Sequence, residues 1–157
     1  AFARHFSVVE ALDVETLDRP EWHEKFDYII LGDVIEHLHE PQRAMKNLAL
    51  LLKPGGCVLV STPNVMHFSV FRMMLAGRWK YEEAGILDRT HLRFFTRTEV
   101  VALLQEAGLE PQEVFDSKIA ESEHDQAFIA QLAALLAPGV DPEELHAFQW
   151  KVVAKKR

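Results

Sequence analysis

The chain has 157 residues, nearly half of them hydrophobic, which is one domain's worth of sequence with enough apolar mass for a core. Its net charge of −7 excludes a general nucleic-acid binder, whose affinity depends on neutralising phosphates, and no apolar run approaches the roughly 18 residues of a membrane span. The lone cysteine, Cys57, excludes a disulfide framework, suits a reducing cytoplasm and reads as a small core hydrophobe rather than a nucleophile.

In chain order, Ala1 to His5 read as the last turn of a helix, and Ser7 to Leu12 as a strand ending at Asp13. Residues 14–25 are polar, with Pro20 marking a connection of one helical turn. Phe26 to Leu31 is a short apolar run, which predicts a strand buried on both faces inside a parallel sheet. Gly32-Asp33 ends it. Ligands of open parallel sheets sit beyond the carboxyl ends of the strands, so Asp33, Val34, Glu36 and His37 stand where chemistry is expected. Pro41 suits a first helical turn, and Ala44, Met45, Leu48, Leu51 and Leu52 repeat at helical spacing until Lys53-Pro54-Gly55-Gly56 stops them. Cys57 to Ser61 is the next strand, completing a βαβ unit, with a turn at Thr62-Pro63-Asn64.

From His67 to about Ala76 a helix is expected, with more apolar residues than one face can bury. The excess packs, lines a pocket or meets a partner. Asp88 to Thr96 gathers Asp88, Arg89, His91 and Arg93 beside Phe94-Phe95. Thr96 with Glu99 is a capping box for a helix with stripe Val100, Leu103, Leu104 and Ala107, stopped by Gly108. Pro111 to Phe115 is a short strand. Ser122 caps a further helix with stripe Phe128, Ile129, Leu132, Leu135 and Leu136, and alternation from His146 to Ala154 marks the last strand.

Three segments in this order, FDYIILGDVIEHLHEP, LLKPGG and VLVSTPN, resemble the fourth and fifth strands of class I S-adenosylmethionine-dependent methyltransferases. The resemblance covers roughly residues 7 to 116. It implies an α/β, Rossmann-like methyltransferase fold with a mostly parallel sheet and a carboxyl-terminal antiparallel hairpin. The Gly-rich turn after the first strand of that family has no counterpart here, since no G-x-G occurs. The expectation is therefore a single truncated domain over 1–157, lacking the first two strands, which alone holds the cofactor weakly or not at all. The run from Asp88 to Thr96 resembles the loop after the fifth strand in a bacterial subgroup that often accompanies glycan or surface-polymer biosynthesis.

The resemblance implies S-adenosylmethionine as cofactor of the parent protein and a small molecule or glycan as acceptor. It places Asp13 at the adenine amino group, with Val14 beside it, and Gly32, Asp33 and Val34 along the methionyl end. Asn64, His67, Arg89 and Arg93 are then expected on the acceptor side, with His91 as the first choice for a base. Asp33, Glu36 and His37 offer an alternative. Their D-x-x-E-H spacing is similar to the E-x-x-E-H metal set of some O-methyltransferases, and hard oxygens with an imidazole suit a divalent ion. The non-enzymatic rival is a methyltransferase-like interaction module. A truncated sheet also implies an unpaired edge along Phe26 to Leu31, through which two copies can pair as a homodimer.

Overall fold

The computed structural model describes residues 9–157. Among these, four strands form one sheet in the order β1-β2-β4-β3, with β1 at Phe26–Gly32, β2 at Leu52–Pro63, β3 at Leu109–Lys118 and β4 at Ala147–Lys156. The helices are α1 (Pro41–Leu51), α2 (Phe68–Leu75), α3 (Arg97–Glu106) and α4 (Glu123–Ala133). None of the described helices is long and apolar enough to cross a membrane. The helix turn expected over 1–5 lies outside the described residues, as do residues 7 and 8 of the first expected strand; Val9 to Leu12 are exposed and irregular.

The sheet is mixed, which corrects the expectation of a mostly parallel one. Only β1 and β2 run parallel, because α1 returns the chain between them, while β4 lies antiparallel to both β2 and β3. β3 and β4 are antiparallel neighbours as expected, yet not a tight hairpin, since α4 and a 3-10 turn at Pro142–Leu145 lie between them.

The two faces of the sheet differ. On one, Leu31, Val58, Val60, Val152 and Ala154 pack under α1 and α3 with Met45, Leu48, Val100 and Leu104, forming the main core. On the other, β1 is open: Ile30 is 73% exposed and Tyr28 67%, so β1 is not buried on both faces. Nothing among the described residues lies over them, and a groove of about 340 Å³ runs past Ile30, Leu59, Phe115 and Val153. A second cluster joins α2 to α4 through Phe68, Ile129, Leu132 and Leu145. Of the crowded apolar residues of α2, Phe68 and Val70 are buried, whereas Met74 and Leu75 are exposed.

Local rules account for most element ends. The box of Thr96 and Glu99 caps α3 reciprocally, and Ser122 with Asp125 does the same for α4. Gly108 follows α3 at φ +77°, a conformation that costs other residues a Cβ clash. Between Phe26↔Leu52 and Tyr28↔Cys57 the β1–β2 register shifts, and Lys53 to Gly56 bulge out. The Lys53 ammonium ties this bulge to the Asp27 carboxylate at 2.7 Å.

Candidate functional site

The chain leaves β1 through Asp33, whose φ of +52° puts it in the left-handed region that aspartate tolerates better than most residues. The Asp33 amide donates to the Ser61 carbonyl at 3.2 Å, and the Ser61 hydroxyl donates to the Asp33 carboxylate at 3.0 Å. The Gln149 amide donates to the same carboxylate. The backbone then tightens into a 3-10 turn at Ile35–His37 that buries Ile35 and Glu36.

A second segment docks onto this turn. The amides of Leu92 and Arg93 both donate to the Glu36 carbonyl, at 2.8 and 3.0 Å. The Arg93 guanidinium donates to the carbonyls of Leu92 and His39. The His37 Nδ1 donates to the Thr90 carbonyl at 3.1 Å, and the His91 Nδ1 to the Ile86 carbonyl at 2.9 Å. A carbonyl only accepts, so each ring carries its proton on Nδ1 and leaves Nε2 with a free lone pair. The two rings meet edge to face at 4.9 Å between centroids.

Glu36 completes the cluster. Its side chain is 1% exposed, and neither carboxylate oxygen has a hydrogen-bond partner. Burial pushes its pKa up, and the Asp33 charge adds to that, against the pull of the nearby His91 ring. One ligand atom each from Glu36, His37 and His91 lies within 4.8 Å of the others. Two imidazoles pre-oriented by backbone carbonyls and a buried, orphaned carboxylate make a donor set for a divalent ion. The cluster differs from the alternative set that the D-x-x-E-H spacing offers: Asp33 is engaged by Ser61 and Gln149 and lies outside it, and His91 stands with Glu36 and His37 instead.

The other expected site residues scatter. Gly32 and Asp33 are exposed beside half-buried Val34, and a side chain at Gly32 would meet only the Ser61 hydroxyl, at 4.0 Å. The Asp13 carboxylate closes a turn onto the Glu15 amide at 2.9 Å and the Thr16 hydroxyl at 3.2 Å, with half-buried Val14 against the main core. Glu15 accepts from the Glu40 amide at 2.6 Å, which brings this turn to the start of α1, on the carboxyl side of β1. Arg89 pairs with Glu83 at the surface.

Asn64 and His67 are buried in the interior. Asn64 is 0% exposed, and its amide donates to the carbonyls of Glu144 and Ala147 at 2.7 and 2.8 Å while accepting from the Met66 amide at 3.0 Å. It pins the approach to β4 onto the end of β2. His67 is also 0% exposed and caps α2, its Nδ1 accepting from the Ser69 amide and hydroxyl. Burial holds its pKa down at about 4. Sequence reasoning named Thr62 only as part of a turn and gave no role to Ser61 or Gln149, whose places are set by cross-strand pairing rather than by any local pattern.

Comparison with known proteins places this geometry. A family described as "Methyltransferase domain" matches residues 2–114. A ubiquinone biosynthesis O-methyltransferase of Dinoroseobacter shibae is 38% identical over 90 residues, 56% of this chain and 36% of that protein, so the chain spans about a third of its relative's length. Among solved structures, the Burkholderia thailandensis 1,6-didemethyltoxoflavin-N1-methyltransferase, with S-adenosylhomocysteine bound, superposes with a TM-score of 0.57 at 16% identity, over 99% of this chain and 54% of that one. A methyltransferase of Thermotoga maritima gives 0.59 at 21% identity, over 92% and 61%. At such identities these likenesses speak for the fold, while the family match covers most of the sequence. The chain belongs to this methyltransferase-domain family and has the fold of the class I S-adenosylmethionine-dependent methyltransferases.

Proposed function

We propose that the whole protein transfers a methyl group from S-adenosylmethionine to a hydroxyl oxygen of a small-molecule or glycan acceptor, beside a divalent cation held by Glu36, His37 and His91. The observation that carries this reading is the orphaned Glu36 carboxylate next to two imidazoles whose Nδ1 protons are already committed. The printed name of the Dinoroseobacter shibae relative, an O-methyltransferase, favours oxygen as the accepting atom.

S-adenosylmethionine, when bound, supplies a methyl group already activated on a sulfonium sulfur. The protein's part is alignment and exclusion of water. Gly32, Asp33 and Val34 border the methionyl end, where the bare Gly32 surface leaves room, and Asp13 with Val14 meets the adenine. A cation, when bound, supplies positive charge that lowers the pKa of an acceptor hydroxyl. Under this reading His91 is a ligand rather than a base, because its free Nε2 lone pair is the one a cation takes. Arg93 holds the docked loop through the His39 carbonyl, so the two histidines keep their orientation. Arg89 is left to meet the acceptor from the rim. We place the protein in the cytoplasm, and we assign the chain as given a self-association through the unpaired edge of β1.

Isothermal titration of the whole protein with Mn²⁺ tests the reading. Saturable binding is expected, with methyl transfer lost to a chelator and restored by the ion, and Glu36→Gln abolishing both. Turnover that is indifferent to chelation would defeat the cation assignment.

A further inference from the structure

We propose that the cavity between α2 and the loop at residues 82–87 seats a ring with an apolar face and a hydroxyl group, and that Ser69 selects for that hydroxyl. The cavity holds about 230 Å³. An apolar cavity of about 150 Å³ already takes up benzene, so one ring fits here. α2 follows the carboxyl end of β2, the end at which α/β sheets bind their ligands. The walls are Val70 and Met73 of α2, Ile86 and Leu87 of the loop, and Phe148 of β4, which also pack together as a cluster of their own. The loop is closed by its backbone: the Glu82 amide donates to the Leu87 carbonyl at 2.9 Å, and the Arg89 amide to the Glu82 carbonyl at 3.0 Å.

Two polar side chains line the cavity, Ser69 and Glu82. The Ser69 hydroxyl lies 2.8 Å from the His67 Nδ1. That nitrogen caps α2 by accepting from the Ser69 amide, so it carries no proton, and the hydroxyl must be the donor of the pair. The one proton of Ser69 is thereby committed, and its oxygen has only lone pairs left for a ligand. The exposed Glu82 carboxylate likewise only accepts. A ligand that fills the cavity must therefore donate, and one that brings a second lone pair to Ser69 leaves both unsatisfied. A ring with an apolar face and a hydroxyl meets both demands. On the reading of the protein as a methyltransferase, this is the seat of the substrate's ring. Ile86 both lines the cavity and holds His91 through its carbonyl, so one loop serves the cavity and the Glu36 cluster.

Methyl NMR of the whole protein tests this, with phenol and methyl β-D-glucopyranoside titrated separately as probes. One of them should shift the methyl signals of Met73, Ile86 and Leu87 saturably at roughly millimolar concentration, and the tighter one tells an aromatic ring from a sugar. Ser69→Ala should weaken the tighter probe about 2- to 10-fold, the worth of one hydrogen bond, and leave the binding of anisole, which has no donor, unchanged. Met73→Trp fills the cavity and should abolish the shifts at Ile86 and Leu87; if it fails to fold, Met73→Phe serves the same comparison. Binding of neither probe, or shifts confined to Ile30 and Leu59 on the open sheet face, would overturn the proposal. So would an alanine variant that binds the tighter probe as the wild type does, or one that loses anisole to the same extent. These titrations use neither S-adenosylmethionine nor a cation. Their failure is therefore distinct from failure of the methyl-transfer reading, which turnover and the chelator experiment decide.

Discussion

Glu36 is a carboxyl group that folding buries without a hydrogen bond, and such a group costs stability until something neutralises it. The Glu36→Gln variant should therefore melt higher than the wild type in the presence of a chelator, by the equivalent of about 1–3 kcal/mol, while losing cation binding. Scanning calorimetry with and without Mn²⁺ separates the two effects, and a lower melting point for the chelated variant would show that Glu36 is structurally satisfied. His67 makes a different statement. It is buried, which disfavours its charged form, and the opposing charges of Glu121 and Asp125 do not make up for that. Its folded pKa of about 4 lies below the ordinary value of 6.5. Between those values the unfolded chain takes up a proton that the folded one refuses. Stability from this source is thus complete above pH 6.5 and lost as pH falls toward 4. Urea unfolding at pH 7 and 4.5 should show about 2–3 kcal/mol more loss in the wild type than in His67→Gln. Parallel losses in both would assign the acid sensitivity elsewhere.

At the scale of elements, the β1–β2 pair leads into the Glu36 cluster, since Asp33 and Thr62 both sit where these strands end. Its alignment depends on the bulge at Lys53 to Gly56. A Cβ on Gly56 would lie 3.0 Å from the Lys53 carbonyl oxygen, 3.1 Å from that of Asp27 and 3.2 Å from that of Phe26. All three are backbone atoms, which cannot rotate away as a side-chain tip can. Gly56→Ala should lower stability by about 1–3 kcal/mol, the usual cost of overpacking. Because the parallel register spans the whole pair, hydrogen exchange should quicken along Tyr28 to Leu31 as well. An unchanged urea midpoint with unchanged exchange would mean that the bulge relaxes freely. The α2–α4 pair, by contrast, rests on Phe68, Ile129, Leu132 and Leu145 and on the Arg72–Asp125 ion pair, with the Arg72 guanidinium between Phe68 and Phe128. That second cluster seats Asn64 and His67 in the interior.

For the whole molecule, the difference between the two sheet faces is the dominant feature. The covered face holds the main core. The open face sets Tyr28, Ile30 and Phe115 in solvent beside an apolar groove, and among the described residues β1 has only β2 as a partner. An apolar strand with free backbone groups along one edge is a template for pairing. The 157-residue chain should therefore scatter light as a dimer or larger species at micromolar concentration. Ile30→Asp, which puts a charge on the open face without touching the core, should shift it toward monomer. A monodisperse wild-type monomer would remove the self-association.

What the sequence by itself determined is what short-range chemistry decides. Pro41 at a helix start, the capping boxes at Thr96 and Ser122, the stop at Gly108 and the apolar strands around Gly32 and Cys57 all follow from neighbours a few residues apart, and they recur in the structure. The family was legible for the same reason, because its marks lie in contiguous runs. Tertiary structure alone decided which of these side chains meet. D-x-x-E-H spacing groups Asp33 with Glu36 and His37, but strand geometry turns Asp33 toward Ser61 and Gln149, and hydrogen bonds from Leu92 and Arg93 bring His91 in from a distant loop. The same holds for Asn64 and His67, polar residues at a strand end whose burial only packing shows. It holds too for β1, whose apolar run states that it prefers burial, while only the assembled sheet shows which face receives it. Periodicity reports what a side chain prefers, and its neighbours in space are set by the docking of segments that the sequence keeps far apart.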